Sequence, residues 1–400
     1  MKGSDGMQSV SSTRGPYVRH RGFESPGREN EHFFLVDAHP DQAFKDQLDQ
    51  LEREYETALQ SRKLAPDSVV YRRFFLSDAA NQIDTLKKSP LFADPNGRIQ
   101  AAVSVIQQPP VRSSKVALLA YHIDSKKGME KIPAGEHSLL VKRNGTSQLW
   151  FTNLQESEMT EEFARSSYRQ TDSLFQLLLE QLSAHRATLK DNTIRTWVYV
   201  RDVDRNYKGM VDRRRELFTE HGLTSQTHFI SSTGIEGCTA SPHALVTMDA
   251  LSLLGIQSRQ IRFLHAPQNL CNTIRYNVTF ERGTMVSYHD RAHLYISGTA
   301  SIDKDGQVVH EGDVLQQTVR TLDNIRALLA DGGATLNDMM YWIVYVRDFG
   351  DAHRVAEYLD SLPEKVPYLL LHAPVCRPQW LIEIEGQAII PLKASDLPEF

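Results

Sequence analysis

The feature that most constrains the fold is a segment that recurs three times along the chain. Each copy contains an apolar stretch that ends in an aspartate, at Asp78, Asp202 and Asp348, and Tyr-Val-Arg-Asp stands identically at 199–202 and 345–348. Each copy predicts, in order, a strand, a long amphipathic helix, the apolar strand, a short helix and closing strands. A repeat of this length is a domain rather than a solenoid unit of ~20–50 residues. The sequence therefore predicts three α+β domains in one chain.

The domain boundaries follow from where each copy begins. Residues 1–30 are rich in Gly, Ser, Arg and Pro, which predicts a mobile N-terminal tail. The first and most degenerate domain is expected at 31–136, the second at 137–268 and the third at 269–400. If the domains pack around a pseudo-threefold axis, each sheet buries its free face against the other two, and clefts form between neighbours.

Charge and cysteine content exclude several functional classes. A net charge of −5 leaves no basic footprint, so no nucleic-acid partner is expected. The three cysteines are far apart and odd in number, which argues against a disulfide framework and favours a cytoplasmic location. No apolar run approaches the ~18 residues of a membrane span, and the N-terminus lacks the apolar core of a signal peptide. His289, His310 and His372 lack metal-ligand spacing, so no metal site is expected, and no cofactor is expected either.

Ionisable residues concentrate in the closing segment of the third copy. Cys376 and Arg377 precede a stretch that alternates as a strand does, with Glu383 and Glu385 on one face and isoleucines on the other. The first copy has no carboxylate at the corresponding strand, and the second has no arginine nearby. This asymmetry predicts one working cleft and two structural ones.

The repeated segment resembles the Rid/YjgF family, whose small α+β subunits (chorismate mutase-like) form trimers. In that family an arginine before the last strand binds a carboxylate of the substrate. Arg377 falls at that arginine, and Ile382–Glu385 looks like the family's closing strand. The resemblance covers about residues 32–392, weakly in the first copy and best in the third. It implies three Rid-like domains that form an intrachain pseudo-trimer, as a monomer or weak homo-oligomer.

A closer resemblance is to the chorismatases, a Rid-like family in a single longer chain. The segments that carry it are Ser232–Ile235, Ile296–Ile302 with His310–Asp313, and Val375–Pro378 with Glu383. In that family the strand glutamate is the catalytic acid, and a cysteine at the position of Cys376 belongs to the branch that forms 3-hydroxybenzoate. The long N-terminal part and the run Tyr288–Ala292 depart from the family pattern.

This resemblance implies an enzyme that cleaves the enolpyruvyl ether of chorismate, or of a related small carboxylate. The products would be pyruvate and a hydroxybenzoate or dihydroxycyclohexadiene carboxylate. A carboxyl buried among apolar neighbours keeps its proton near neutral pH, which suits Glu383, and arginine forms bidentate bonds with carboxylates, which suits Arg377. The candidate catalytic residues are Glu383, Arg377 and Cys376. The candidate substrate-binding residues are Arg275, Arg291, Ser297, Gly298, Thr299, Thr233, Gly234 and Glu385.

Plainer interpretations remain open for these residues. The strand carboxylates fit solvated positions, Arg377 fits a surface ion pair with Glu385, and Cys376 fits a small buried hydrophobe. The segments 233–234 and 297–299 fit plain turns, and the strand-end residues Asp202 and Asp348 fit helix caps. Two other functions compete with ether cleavage: a Rid-type deaminase of imines or enamines, and a non-catalytic protein that binds a small metabolite.

Overall fold

A computed structural model describes residues 9–14, 17–94, 101–143, 145–156, 160–276, 278–394 and 396–400. Within these residues the strands form three six-stranded sheets, each with helices packed on one face. The α+β class and the three sheet-and-helix domains are confirmed. None of the helices in these ranges is long and apolar enough to cross a membrane.

The first domain has the sheet order β1-β2-β3-β6-β4-β5. Its elements are β1 (Ser9–Arg14), β2 (Val18–Glu24), β3 (Asn30–Asp37), α1 (Phe44–Ser61), β4 (Val69–Leu76), α2 (Ala79–Leu86), β5 (Ala102–Gln107) and β6 (Val116–Asp124). Strands β4 and β5 are parallel, whereas the other neighbouring pairs are antiparallel.

The predicted mobile tail at 1–30 is wrong for most of its length. Strands β1 and β2 pair antiparallel with each other, and β2 pairs with β3; residues 1–8 lie outside the described ranges. Strand β2 is polar in sequence, yet Arg19 is buried in an ion pair with Asp37, and Arg21 donates to the carbonyl of Met339 in the third domain. Its polar groups are buried because distant segments supply partners, which composition alone does not reveal.

The second domain has the sheet order β11-β10-β12-β9-β8-β7. Its elements are β7 (Glu130–Gly135), β8 (Ser138–Lys142), β9 (Ser147–Leu154), α3 (Ser167–Ala184), α4 (Leu189–Asn192), β10 (Thr193–Val200), α5 (Val203–Glu220), β11 (Ser231–Glu236) and β12 (Val246–Leu254). The domain therefore begins at β7, before the predicted boundary at 137.

The third domain has the sheet order β13-β14-β15-β18-β16-β17. Its elements are β13 (Ile261–Phe263), β14 (Gly283–Ser287), β15 (Arg291–Ala300), α6 (Val314–Asp331), β16 (Met339–Val346), α7 (Ala352–Ser361), β17 (Tyr368–His372) and β18 (Ile382–Pro391). Its sheet begins at Ile261, ahead of the predicted boundary at 269.

The strand-end aspartates do not all cap helices. Asp348 accepts a hydrogen bond from the amide of Gly350, as predicted, and Asp78 likewise accepts one from the amide of Asn81 at the start of α2. Asp202 has a left-handed backbone (φ 50°) and no side-chain cap. Instead, the Glu236 carboxylate accepts from the Asp202 amide at 2.9 Å and from the next amide at 2.6 Å. Glu236 thereby anchors α5, the helix that supplies two side chains to the site described below.

The three domains contact one another in cyclic order. Strand β5 packs against β9, β11 against β15, and β17 against β3, so each domain offers its parallel edge strand to the next. Isolated bridges at Gln107–Cys238, Ile235–Val375 and Pro110–Leu371 repeat the same relation at the three junctions. This closed ring is the arrangement expected of an intrachain pseudo-trimer.

Candidate active site

A pocket lies at the junction between the second and third domains. Its empty volume is about 550 Å³ including the part open to solvent, which falls within the usual size of small-molecule sites. The lining residues are Tyr207, Arg214, Ser232, Gly234, Val278, Phe280, Arg282, Gly298, Ala300, Ile302, Cys376, Arg377, Trp380 and Glu383. The pocket thus combines apolar walls with three arginines and one carboxyl group.

The carboxyl group belongs to Glu383, near the start of β18. In the sheet register Glu383 lies opposite Tyr345 of β16 and Ala300 of β15, and its side chain is only 5% exposed. Burial, followed by the neighbouring carboxylate of Glu385, raises the pKa of Glu383 to about 8, although Arg195 and Arg282 act in the opposite direction. Glu383 therefore holds a proton at neutral pH and is not a solvated strand residue.

Gly298 makes room for this carboxyl group. The register between β15 and β18 shifts between Ile296 and Thr299, and this bulge brings the Gly298 backbone against Glu383. A Cβ at Gly298 would lie 2.0 Å from the Glu383 Oε1 atom and 3.1 Å from the Thr233 methyl. Only glycine lets the carboxyl group lie in this position.

Three arginines reach the pocket from separate segments. Arg214 on α5 is 2% exposed, donates to Ser232 Oγ at 3.4 Å, and has no carboxylate partner among the described residues. Arg282, directly before β14, is buried and donates to the Cys271 carbonyl at 3.3 Å. The Arg377 guanidinium lies 4.8 Å from the centre of the Trp380 ring. A buried guanidinium without a carboxylate, such as Arg214, favours an anionic ligand.

Cys376 is a neutral thiol in the pocket wall. Burial raises its pKa to about 12, with a further contribution from Glu383, and its thiol is hydrogen-bonded with the hydroxyl of Tyr207. The thiolate is the nucleophilic form of cysteine, so this environment does not activate Cys376 as a nucleophile. Cys376 therefore contributes to the shape of the pocket wall as a small side chain.

The segments 233–234 and 297–299 contain residues that line the pocket and residues that lie behind it. Gly234 lines the pocket, and a Cβ there would lie 3.2 Å from the Tyr207 ring. Ser297 is fully buried; its hydroxyl donates to the Glu281 carbonyl and accepts from the Ser232 amide. Thr299 is also buried and donates to the carbonyl of Ser297. Ser297 therefore connects β15 to β11 and to the segment before β14, whereas Thr299 bonds within its own strand. Neither residue lines the pocket, contrary to the prediction.

Two other predicted binding residues lie behind the pocket. Glu385 and Thr233 are 1% exposed and hydrogen-bond to each other, away from the pocket lining. Strand alternation correctly placed Glu383 and Glu385 on one face. It could not reveal that Glu385 lies deeper, where side chains from other domains meet.

The remaining predicted arginines do not line the pocket. Arg275 is exposed on a short 3-10 turn. Arg291 is buried at the far end of β15, where it pairs with Glu31 of the first domain at 2.7 Å and with Asp290 at 2.8 Å. Arg291 is therefore already neutralised by protein carboxylates, and its role at this position is structural.

Sequence reasoning missed the contribution of α5 and of the segment before β14. Tyr207 and Arg214 are seven residues apart, so they share one face of the helix. That face also carries Met210 and Val211, both buried. An arginine on the apolar face of a helix was the available signal. No comparable signal pointed to Phe280 or Arg282.

Comparisons with known proteins identify the family. The model of the endoribonuclease L-PSP family matches residues 285–390. The chain is 31% identical over 97 residues to the 3-aminoacrylate deaminase RutC of Acinetobacter baylyi, covering 24% of this chain and 77% of that protein. The chain belongs to the Rid/YjgF superfamily. A RutC family protein of Pyrococcus abyssi is 33% identical over 75 residues, covering 18% of this chain and 59% of that protein.

The fold of this Rid/YjgF chain extends beyond a single domain. A crystal structure of a chorismatase superposes with a TM-score of 0.60 at 20% identity, covering 80% of this chain and 93% of that chain. The shared fold confirms the predicted likeness to both groups. Among the described residues of this chain, no cluster of three or more His, Cys, Asp or Glu side chains is placed to hold a metal ion.

Proposed function

We propose that this chain is a chorismatase-like enzyme, which cleaves the enolpyruvyl ether of chorismate or of a closely related dicarboxylate. The observation that supports this most directly is the buried Glu383 carboxyl group, which keeps its proton while it faces a pocket with three arginines. A neutral acid beside cationic groups suits protonation of an anionic substrate.

The reaction begins with proton transfer from Glu383 to the methylene carbon of the enolpyruvyl group. This step leaves an oxocarbenium ion at the ether carbon, and water then attacks that carbon. The Glu383 carboxylate takes a proton from the attacking water, which leaves a hemiketal. The bond between the hemiketal carbon and the ether oxygen then breaks as the proton of the hemiketal hydroxyl passes to that oxygen. One water is consumed, and the products are pyruvate and a dihydroxycyclohexadiene carboxylate. Loss of one water from that diol would yield a hydroxybenzoate.

The arginines suit the two carboxylates of such a substrate. Arg282 is close enough to Glu383 to affect its pKa, so an anion bound there lies beside the reacting carbon. Arg214 and Arg377 lie on other parts of the lining and suit the second carboxylate.

The apolar part of the lining suits the ring. Its residues are Val278, Phe280, Ile302 and Trp380. These side chains provide surface for a six-membered ring and exclude water around the acid. The same exclusion of water helps to keep Glu383 protonated.

The decisive experiment is incubation of the purified protein with chorismate and continuous measurement of pyruvate. Glu383→Gln is expected to lower kcat by about 10²–10⁴-fold, because general acid catalysis contributes that much. The matched control is Glu52→Gln on α1, a half-buried carboxyl group in the first domain, which should leave kcat unchanged. Chorismate that persists in the presence of the wild-type protein would refute the proposal.

The sequence similarity to a 3-aminoacrylate deaminase, which is 31% identical over 97 residues, favours enamine deamination as the second candidate function. An enamine, like an enol ether, is protonated at carbon, so Glu383 could serve either reaction. The two are separated by comparing ammonia release from 3-aminoacrylate with pyruvate release from chorismate. A protein that is stabilised against heat by a dicarboxylate but turns over neither compound would instead be a binding protein.

A further inference from the structure

A buried ionic cluster lies behind Glu383, where the three sheets meet. Its members are Arg73 from the first domain, Arg195, Thr233 and Asp249 from the second, and Glu385 from the third. All five side chains belong to residues that are no more than 2% exposed. We refer to these five residues as the axial cluster. The proposed acid is therefore adjacent to a charge arrangement to which every domain contributes.

The Glu385 carboxylate is the most heavily hydrogen-bonded group of the axial cluster. Its donors are Arg195 Nη2 at 2.5 Å, Trp197 Nε1 at 3.0 Å, Tyr345 Oη at 3.0 Å, Arg73 Nη1 at 3.5 Å and Thr233 Oγ1. All five are donors, and a protonated carboxyl group would have one oxygen occupied by its own hydrogen. The geometry therefore suits an ionised Glu385 with its position set from all three domains.

Thr233 connects this charge to the backbone beside the acid. Its hydroxyl donates to Glu385 and accepts from Arg195 Nη2 at 2.5 Å and from the Gly298 amide at 2.9 Å. Gly298 is the residue against which the Glu383 carboxyl group lies. One hydroxyl thus fixes both the anion of the cluster and the backbone that positions Glu383.

Several groups influence the proton on Glu383. Glu385 lies two residues further along β18 on the same face, and its negative charge disfavours ionisation of Glu383. The charged and titratable groups around Glu383 are Glu385 on β18, Tyr345 on β16, Arg195 on β10, Tyr207 and Arg214 on α5, Arg282 before β14, and Cys376 and Arg377 after β17. Glu385 is the one carboxylate among these groups, and the nearby arginines oppose its effect.

We propose that Glu385 and Thr233 are positioning residues, which hold a fixed negative charge behind Glu383 and so set the pH at which the site loses its proton. This inference rests on the proposed function, since it deepens the role of the same acid. Neither residue touches the pocket, so each acts through Glu383.

The second domain offers a matched control for Glu385. Asp249 lies opposite Trp197 in the register of β10 and β12, as Glu385 lies opposite Ile343 in that of β16 and β18. It is fully buried and accepts from the Tyr71 hydroxyl at 2.9 Å and the Asn153 amide at 2.8 Å. The residue two positions before it is Thr247, where the third domain has Glu383. Asp249 is thus an axial carboxylate without an acid beside it.

The first test compares pH profiles of kcat/KM for the wild type, Glu385→Gln, Thr233→Val and Asp249→Asn. Glu385→Gln should move the alkaline limb to lower pH by about 1 pH unit or more, because a like charge next to the acid is removed. Thr233→Val should move it in the same direction by less, and Asp249→Asn should leave it in place. Equal shifts in Glu385→Gln and Asp249→Asn, or lower activity at every pH with no shift, would overturn the inference.

The second test does not need a substrate. Carbon-13 NMR of carboxyl-labelled glutamate follows the titration of Glu383 directly, with its resonance assigned by its absence in Glu383→Gln. The midpoint, about 8 in the wild type, should fall in Glu385→Gln and, if that variant does not fold, in Thr233→Val. An unchanged midpoint in the folded variants defeats the inference whether or not chorismate is cleaved. A shifted midpoint without turnover of chorismate would defeat the proposed function alone.

Discussion

At the scale of single residues, the protonation of Glu383 is the feature that favours the proposed chemistry over simple binding of an anion. Arg195 and Arg282 lower the pKa of Glu383, but burial and the Glu385 carboxylate have the larger effect. The acid therefore stays neutral among cations. A dianionic substrate can bind to the arginines without meeting a competing charge from the proton donor.

The pH dependence of catalysis follows from this pKa. Glu383 must be protonated to act, and its pKa is raised to about 8. Because this pKa belongs to the protein without substrate, we expect kcat/KM for chorismate cleavage to be constant below about pH 7 and to fall about tenfold per pH unit well above pH 8. Initial rates of pyruvate release between pH 6 and 10 measure this. A profile that stays flat to pH 10 would exclude Glu383 as the donor.

The space beside Gly298 gives a second prediction for a single residue. In Gly298→Ala the new methyl group would overlap the Glu383 carboxyl group, which must move. A displaced catalytic group is expected to lower kcat by about 10²-fold. Gly350→Ala is the control, because its Cβ would lie in an exposed turn, 3.2 Å from an Asp348 oxygen. Comparable losses in both variants would show that the effect is not specific to the pocket.

At the scale of elements, helix α5 links the fold of the second domain to the pocket. Glu236 accepts the amides at the beginning of the helix, and Tyr207 and Arg214 project from one face two turns apart. Their positions therefore depend on one rigid element. The third domain supplies the acid and the second supplies the buried guanidinium, so the site requires both.

Arg214→Met tests the contribution of α5. Because the buried guanidinium has no carboxylate partner in the described chain, its removal should not lower the melting temperature. The lost charge-assisted hydrogen bonds, worth about 1.5–3 kcal/mol, should raise KM for chorismate at least tenfold. Arg215→Met is the control on the same helix, since Arg215 is half-exposed and pairs with Asp212. An unchanged KM with a lower melting temperature would assign Arg214 a structural role.

At the scale of the whole molecule, the ring of domains creates the environment of the site. The helix-free faces of the sheets meet in one core, in which the rings of Tyr71 and Trp150 stack with centroids 4.5 Å apart across two domains. Arg73 of the first domain lies 3.5 Å from both Asp249 and Glu385. None of the described residues of the first domain lines the pocket, yet Arg73 supplies a cation to the cluster behind Glu383.

Arg73→Met should therefore destabilise the whole chain. Removing one partner of a buried ionic group leaves uncompensated carboxylates and costs about 3–5 kcal/mol of unfolding free energy. The control is Arg28→Met, which breaks a surface pair with Glu399 and should cost no more than about 1 kcal/mol. Urea unfolding of both variants measures the difference. Equal losses would mean that the axial cluster contributes no more than an exposed ion pair.

The sequence by itself determined the three α+β domains, because apolar periodicity in the central strands and long helices is a local property of the chain. It also singled out Glu383, Arg377 and Cys376, since the third copy alone carries this combination. Strand β2 was missed because its polar side chains are buried only with partners from β3 and the third domain.

The tertiary structure alone decided which groups each candidate residue contacts and how deeply it is buried. Glu383 and Glu385 are equivalent by strand alternation, but one faces the pocket and the other faces the axial cluster. Arg214 and Arg282 reach the pocket from segments distant in sequence, whereas Arg291 is neutralised by Glu31. The physical reason is that burial and neighbouring charge set the protonation of a side chain and its availability to a ligand, and both depend on contacts between residues far apart in the sequence.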